Sequence, residues 1–311
     1  MKLRAIGYLT LGAAAVLAWF AVETEVTGGS PHGPMSEDMA QAQEVLDQAL
    51  ARVEDGTAEA EAQDIAGQFG LEASGDICLM RHGRLALRVP AGLRQKLAAI
   101  EIATTPDMRL TLLDAVAVDQ PDSVVAWRVH MLRAKAMAQA GDRDGAGAAL
   151  DAAAGVTRID LRCRSDEAVA RAALGGDPAR VTALLDAAVV ADPGNWQAQV
   201  RRVLFATSQI GRGDPAACAR DAARVIEGAV VVAALTGSAR QLDRLGAAAR
   251  TQASGAALAI LEGMMQERSG RAARAAETYA LGLSGPRPAG ECGLVLTRAI
   301  EARLTAVTRD A

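Results

Sequence analysis

The chain has 311 residues, 50% of them hydrophobic and only 3% aromatic, with a formal net charge of −4. So few aromatic residues exclude surfaces that work by stacking on bases or sugars, and the negative balance argues against a nucleic-acid partner. Small apolar residues, chiefly alanine, must do most of the packing, which suits closely approaching helices and not β-sandwiches.

The charge is unevenly spread. Glu23 to Met80 holds thirteen acids and one base, Arg52, whereas bases outnumber acids from Arg81 onward. A solvated helical arm accounts for such a run. An arm folded back onto the basic body, or held by a basic partner, is the alternative.

In chain order, Lys2 and Arg4 precede Ala5–Val22, an uncharged apolar run. As a helix it would reach about 27 Å, close to the thickness of a bilayer core. Bases before it and Glu23 and Glu25 after it place the N-terminus in the cytoplasm and the body outside. Residues 1–22 are therefore expected to be a single-pass inner-membrane anchor, with the body in the periplasm. Secretion to the periplasm after signal cleavage competes. Val16-Leu17-Ala18 could serve as the cleavage site, although Trp19 and Phe20 extend the apolar run beyond it. Residues 23–35 read as a linker, with Thr27–Pro34 rich in Gly and Pro. His32 stands alone there, and one histidine makes no metal site.

Residues 36–89 are expected to be an acidic helical arm followed by an irregular segment. Ser36 can cap a helix in which Met39, Ala42, Val45, Leu46, Ala49, Leu50 and Val53 recur at helical spacing. Gly56 ends it, and Thr57 opens a second acidic helix to about Phe69. Arg84–Val89 alternates strictly, and Ile77–Arg81 could pair with it across His82-Gly83. The pattern fits a small β-hairpin at 76–89, with a helix–loop segment as the alternative.

From Pro90 the chain reads as successive helix pairs. Ala91–Ala103 is one helix. Thr105 caps the next, with Pro106 at its first position, and that helix is expected to run to Val118. The phrase Leu112–Ser123 recurs as Leu184–Asn195, an offset of about two units of a ~34–37-residue repeat. Gly141-Asp142, Gly176-Asp177 and Gly213-Asp214 are the turns of three such units, and Gly270 of a fourth. Before and after the turns stand Ala134, Met137, Ala146, Leu150 and Ala153; Val169, Ala172, Val181, Leu185 and Ala188; Ala206, Cys218, Ala222 and Val225; and Gly263, Ala275, Tyr279 and Gly282.

On these residues, 90–288 resembles tetratricopeptide (TPR) repeats, ~34-residue helix pairs with small residues where the two helices cross. Arg109 stands where a small residue is implied. The wider gap from Gly213 to Gly270 implies an inserted helix near Ser238–Arg250. Residues 289–311 are expected to be a C-terminal capping helix, with Leu294, Leu296, Ile300, Leu304 and Val307 inward and Arg298, Glu301 and Arg303 outward. The fold class is thus all-α, a TPR-like solenoid behind a transmembrane helix.

No chemistry-bearing motif emerges. Cys78, Cys163, Cys218 and Cys292 contain no CxxC pair. Outside the cytoplasm they could form disulfides, but Cys218 sits at a small buried position that suits a packed thiol. His82 and His130 are single. There is no HExxH, GxSxG or phosphate-cradling GxxxxGK[ST], and Gly145 and Gly147 lie in a repeat helix. Glu59, Glu61 and Asp64 lack the spacing of a calcium loop. The expectation is a non-enzymatic scaffold without cofactor or metal.

The resemblance implies a protein or peptide partner in a concave groove built by the first helix of each pair. Arg128, Lys135 and Gln139 in one unit and Asp166 and Glu167 in the next occupy the matching exposed positions. Assembly or maturation of an envelope complex would suit such a module. A looser likeness links it to the TPR-bearing subunits of cytochrome c maturation, which carry two membrane spans where this chain shows one. Self-association through the apolar helix and the acidic arm is a competing use, and an enzyme with an unrecognised site a further one.

Overall fold

The computed structural model describes residues 37–69, 91–116, 118, 121–157, 159–212, 214–236, 239–250, 255–285 and 290–309. The apolar run 5–22, the linker 23–35 and the segment 76–89 lie outside the described residues. Residues 41–311 cluster as one unit and the chain up to Ala40 as another. The described residues are all-α, with fourteen helices and no strand among them. No helix among them is long and apolar enough to cross a membrane.

The expected helix pairs are present. α1 (Glu37–Glu54) and α2 (Thr57–Phe69) form the acidic arm, and α3 (Ala91–Ile102) and α4 (Pro106–Asp114) come next. Then follow α5 (Val124–Gln139) with α6 (Arg143–Gly155), α7 (Leu161–Ala173) with α8 (Pro178–Ala191), and α9 (Trp196–Gln209) with α10 (Pro215–Thr236). α11 (Ala239–Ala249) lies in the stretch expected to hold an extra helix, α12 (Gly255–Arg268) and α13 (Ala272–Ser284) make a further pair, and α14 (Glu291–Arg309) follows.

The turns show why these sequences reverse direction. After α5 the chain enters the left-handed region at Gly141, φ +86°. Gly141 N–H then donates to Ala138 and Asp142 N–H to Met137, which closes a Schellman motif over the orphan carbonyls. Asp142 next caps α6, its carboxylate accepting from Gly145 N–H at 2.8 Å. Gly270, φ +73°, ends α12 by the same pair of bonds, from Gly270 to Glu267 and from Arg271 to Gln266. Asp177 and Asp214 cap α8 and α10 in the manner of Asp142.

Within the pairs, the positions picked out by the repeat phase are buried, the half-buried Met137 apart. Ala146, Ala153, Ala188, Ala222 and Ala275 are fully enclosed. Glycine allows the closest crossings. A Cβ on Gly263 would lie 2.2 Å from the Tyr279 ring, and one on Gly228 would lie 2.4 Å from Val203. Loop residues then tie unit to unit. Asp122 accepts from the backbone N–H of Thr157 at 2.6 Å, and the buried Asn195 donates to Ser165 at 2.9 Å and to Asp166 at 2.8 Å. Asp122 and Asn195 are both at the end of the repeated phrase, so the phrase marks the places where neighbouring units are joined.

α10 is the hub, packed against α2, α9, α12 and α14. A Cys218–Cys292 disulfide fastens α14 to it. The expectation of a packed thiol at Cys218 is thus corrected. The site is buried as expected, but the start of α14 brings Cys292 to it, with the Cα atoms 5.7 Å apart, inside bonding range. Cys163 is also disulfide-bonded.

The acidic arm is not a solvated rod. Ala42, Leu46, Ala49, Ala58 and Ala62 are buried. Arg52 meets Glu227 of α10 at 2.6 Å, Glu59 is bonded to Arg268 of α12, and Arg298 of α14 donates to Gln43 at 2.6 Å. Two ion pairs of opposite polarity thus fix the arm to the body.

Other readings change in detail. α4 stops at Asp114, short of Val118, because the chain leaves the helix to bury Val116 beside Leu97, Ile100 and Leu132. Arg109 is explained by α3, whose C-terminal carbonyl at Ala103 accepts from Arg109 Nε at 2.8 Å. In α14, Arg303 points inward at 5% exposure, whereas Leu294 is 56% exposed. Arg303 shares the buried stripe of Cys292, Val295, Leu296, Ala299, Ile300 and Val307, and Glu267 receives it there.

Candidate functional site

Helix α5 offers two faces for recognition. At 3.6 residues per turn, Arg128, Lys135 and Gln139 fall on one side, and His130, Arg133 and Met137 on the other.

The first side is the expected partner strip. Arg128 is half-buried and bonded to Glu101 of α3 at 2.6 Å. Gln139 is exposed and accepts from Arg109 of α4. Lys135 is exposed. The continuation onto α7 is less open than expected. Asp166 accepts from Asn195, and Glu167 is buried between Arg164, at 2.7 Å, and Arg171, at 3.6 Å. Arg164 also donates to the backbone carbonyl of Val156 at 2.5 Å, so it completes the end of α6. Glu167 therefore secures an α6–α7 junction, and Lys135 with Gln139 make up the exposed part of the strip.

The second side of α5 is the floor of an open groove of about 560 Å³, with α4 and α6 as walls. Leu113, Val129 and Met137 are apolar floor, and Gly145, Ala148, Ala149 and Ala152 form one small-residue wall on α6. Ala148 and Ala152 are exposed. Among the described residues, the ionisable lining groups are Asp114 and Arg133, which pair at 2.8 Å, and His130. His130 is half-buried and has no hydrogen-bond partner among the described residues. Burial and then the nearby Arg133 charge hold its pKa below the ordinary 6.5, so the imidazole is neutral at pH 7.

Two polar clusters lie elsewhere, one buried and one half-buried. Glu267 binds Arg303 at 2.5 Å and accepts from the Tyr279 hydroxyl at 2.6 Å, with Arg268 at 3.5 Å. Burial, then the Glu267 charge, pushes the Tyr279 phenol far above its usual range. These charges are matched and enclosed, the arrangement of a packing lock with no access for a substrate. Asp186, Arg202, Arg224 and Asp221 form a second matched set. No group of three or more His, Cys, Asp or Glu residues among those described could hold a metal ion.

The groove was not anticipated from sequence. Met137 reads as core at helical spacing, and nothing in the linear pattern says that no described helix covers it. The weak signal was His130, a lone histidine on the side of α5 that it shares with Arg133 and Met137. In comparisons with known proteins the chain matches no family model, no curated protein and no solved structure.

Proposed function

We propose that the protein is a TPR-like α-solenoid that acts as a membrane-anchored interaction scaffold, with its body on the periplasmic side of the inner membrane. It would hold a protein or peptide partner during assembly or maturation of an envelope complex, without performing chemistry. The observation that carries this reading is the open, mostly apolar groove on paired helices, beside an exposed Lys135–Gln139 strip. Such a surface offers contact area on rigid elements, as a recognition module requires. The Cys218–Cys292 disulfide supports the periplasmic placement, since disulfides persist in oxidising compartments.

The test is photocrosslinking of the full chain in its membranes, with the crosslinker at Lys135 or at Ala148. A scaffold gives the same discrete adduct to another polypeptide from at least one of these positions, absent when the crosslinker sits at exposed Glu301. Adducts at the mass of two copies of the chain would instead mark a self-associating structural protein, and no adduct from either position would remove the scaffold reading.

A further inference from the structure

The acidic arm is joined to the body by contacts that can open without stranding a charge. Side-chain bridges run from Arg52 to Glu227 of α10, from Glu59 to Arg268 of α12, and from Gln43 to Arg298 of α14. In each bridge one member keeps a second partner on its own side. Arg52 also pairs with Glu61 inside the arm, and Gln43 donates to Asp47 of α1 at 2.6 Å. Arg268 lies 3.5 Å from Glu267, its neighbour on α12. Opening the bridges therefore leaves both arginines beside a counter-charge, which avoids the main cost of breaking a buried pair.

Opening also brings a return. With the arm docked, Glu59 Oε2 and Arg268 Nε are buried and have no hydrogen-bond partner. Water reaching both on release offsets part of the lost bond. The arm helix that packs on α10 is α2, and its apolar contribution is small. From Thr57 to Ala66 its buried residues are Ala58 and Ala62, which remove little apolar surface from water. The body does not depend on the arm for its own lock, because Glu267, Arg303 and Tyr279 come from α12, α14 and α13.

We infer that α1 and α2 form a releasable strap, which opens as a unit from α10, α12 and α14 while the body stays folded. Its consequence rests on the anchored-scaffold reading. In sequence the arm follows the apolar run 5–22. On that reading the docked strap ties the membrane end of the chain to the C-terminal helices. Release moves the tie to the residues before α3, so that residues 37–90 join the tether and the body reaches farther from the anchor. The strap thus sets the distance at which the scaffold works.

The test is hydrogen exchange of the full chain in lipid nanodiscs at low and high salt. Amides of α1 and α2 should exchange at least about tenfold faster than those of α10, α12 and α14, through an opening that the body does not share. Raising the salt from about 0.05 to about 0.5 M should speed arm exchange a further two- to fivefold or so and leave the body unchanged, because the Arg52–Glu227 pair is partly open to water. A merely frayed chain end would exchange fast at either salt concentration. Arg52→Ala with Glu59→Ala removes both ion-pair bridges. It should speed arm exchange about three- to tenfold at low salt, abolish the salt response, and leave α12, α13 and α14 as protected as before.

Arm amides that exchange in step with those of α10 and α12 overturn the inference, and so does arm exchange that ignores both salt and the double substitution. If the double variant loses protection throughout the body, the arm belongs to the core and the inference falls as well. Hydrogen exchange reads the strap whichever side of the membrane holds the body. An overturned strap therefore leaves the scaffold reading to the crosslinking test, and a failed crosslinking test leaves the strap standing.

Discussion

At the scale of the residue, the two charged groups Glu267 and Arg303 show how far a linear pattern can mislead. Arg303 lies on the apolar stripe of α14, where an arginine is read as facing out. Its side chain is 6% exposed and that of Glu267 is 7%. A charge is tolerated there only because its partner comes from α12, distant in sequence. Truncating one member leaves the other buried with incomplete compensation, so Arg303→Leu should cost about 3–5 kcal/mol in urea unfolding. Replacing both by leucine and methionine should recover much of that loss. The small residues tell the opposite story, because their role is legible without partners. Ala146 was placed at a helix crossing by the repeat phase alone, and it is fully buried. Ala146→Leu should overpack the α5–α6 contact and cost about 1–3 kcal/mol, checked by the melting temperature.

His130 belongs to the same scale, through pH. Its pKa is lower in the folded chain than the ordinary 6.5, so the unfolded chain takes up the proton more readily. Its contribution to stability is therefore fully present above about pH 6.5 and fades as pH falls through the depressed folded value. The facing groups are Arg133 and Asp114, and Arg133 adds to the effect of burial. His130→Gln should flatten the part of the stability profile between neutral and mildly acidic pH. An unchanged slope in paired urea titrations would show that the imidazole does not face the groove.

Among the elements, helices and turns were the readable part, since Gly141, Asp142, Asp177 and the buried alanines act through their immediate neighbours. What sequence left open was which helices meet. The acidic run reads equally as solvated or docked, and docking is decided by Arg268 and Glu227, which are far along the chain. Cys218 has the composition of a packed thiol, and only the approach of α14 makes it a disulfide. The open groove has the same origin, for an uncovered apolar face looks like a covered one until its neighbours are placed. The disulfide carries a prediction of its own. It closes a loop with a sequence separation of 74 between α10 and α14. Removing it by Cys218→Ala with Cys292→Ala should lower stability by about 2–4 kcal/mol, chiefly by freeing the unfolded chain. Urea unfolding with and without a reductant checks this, and the double variant should no longer respond to reductant at Cys218–Cys292.

For the whole molecule, the proposed periplasmic placement joins two independent arguments. Lys2 and Arg4 stand before the apolar run and Glu23 and Glu25 after it, and on the proposed reading that charge bias would send the body across the membrane. The Cys218–Cys292 pair, buried at the α10–α14 contact, would be held as thiols in a reducing cytoplasm, and the core around it would lose its crosslink. Each argument can fail without the other, since a charge bias says nothing about cysteines. A reporter active only in the cytoplasm, fused after Ala311, should therefore be silent, while one that needs an oxidising compartment should be active at the same position. Exchanging the flanking charges, with Lys2 and Arg4 changed to glutamate and Glu23 and Glu25 to lysine, should raise the cytoplasmic signal and lower the other. In that exchanged chain the Cys218 and Cys292 thiols should become accessible to alkylation after unfolding without prior reduction. A cytoplasmic reporter that is active in the unaltered chain would reverse the orientation, and with it the compartment in which a partner for the α5 groove should be sought.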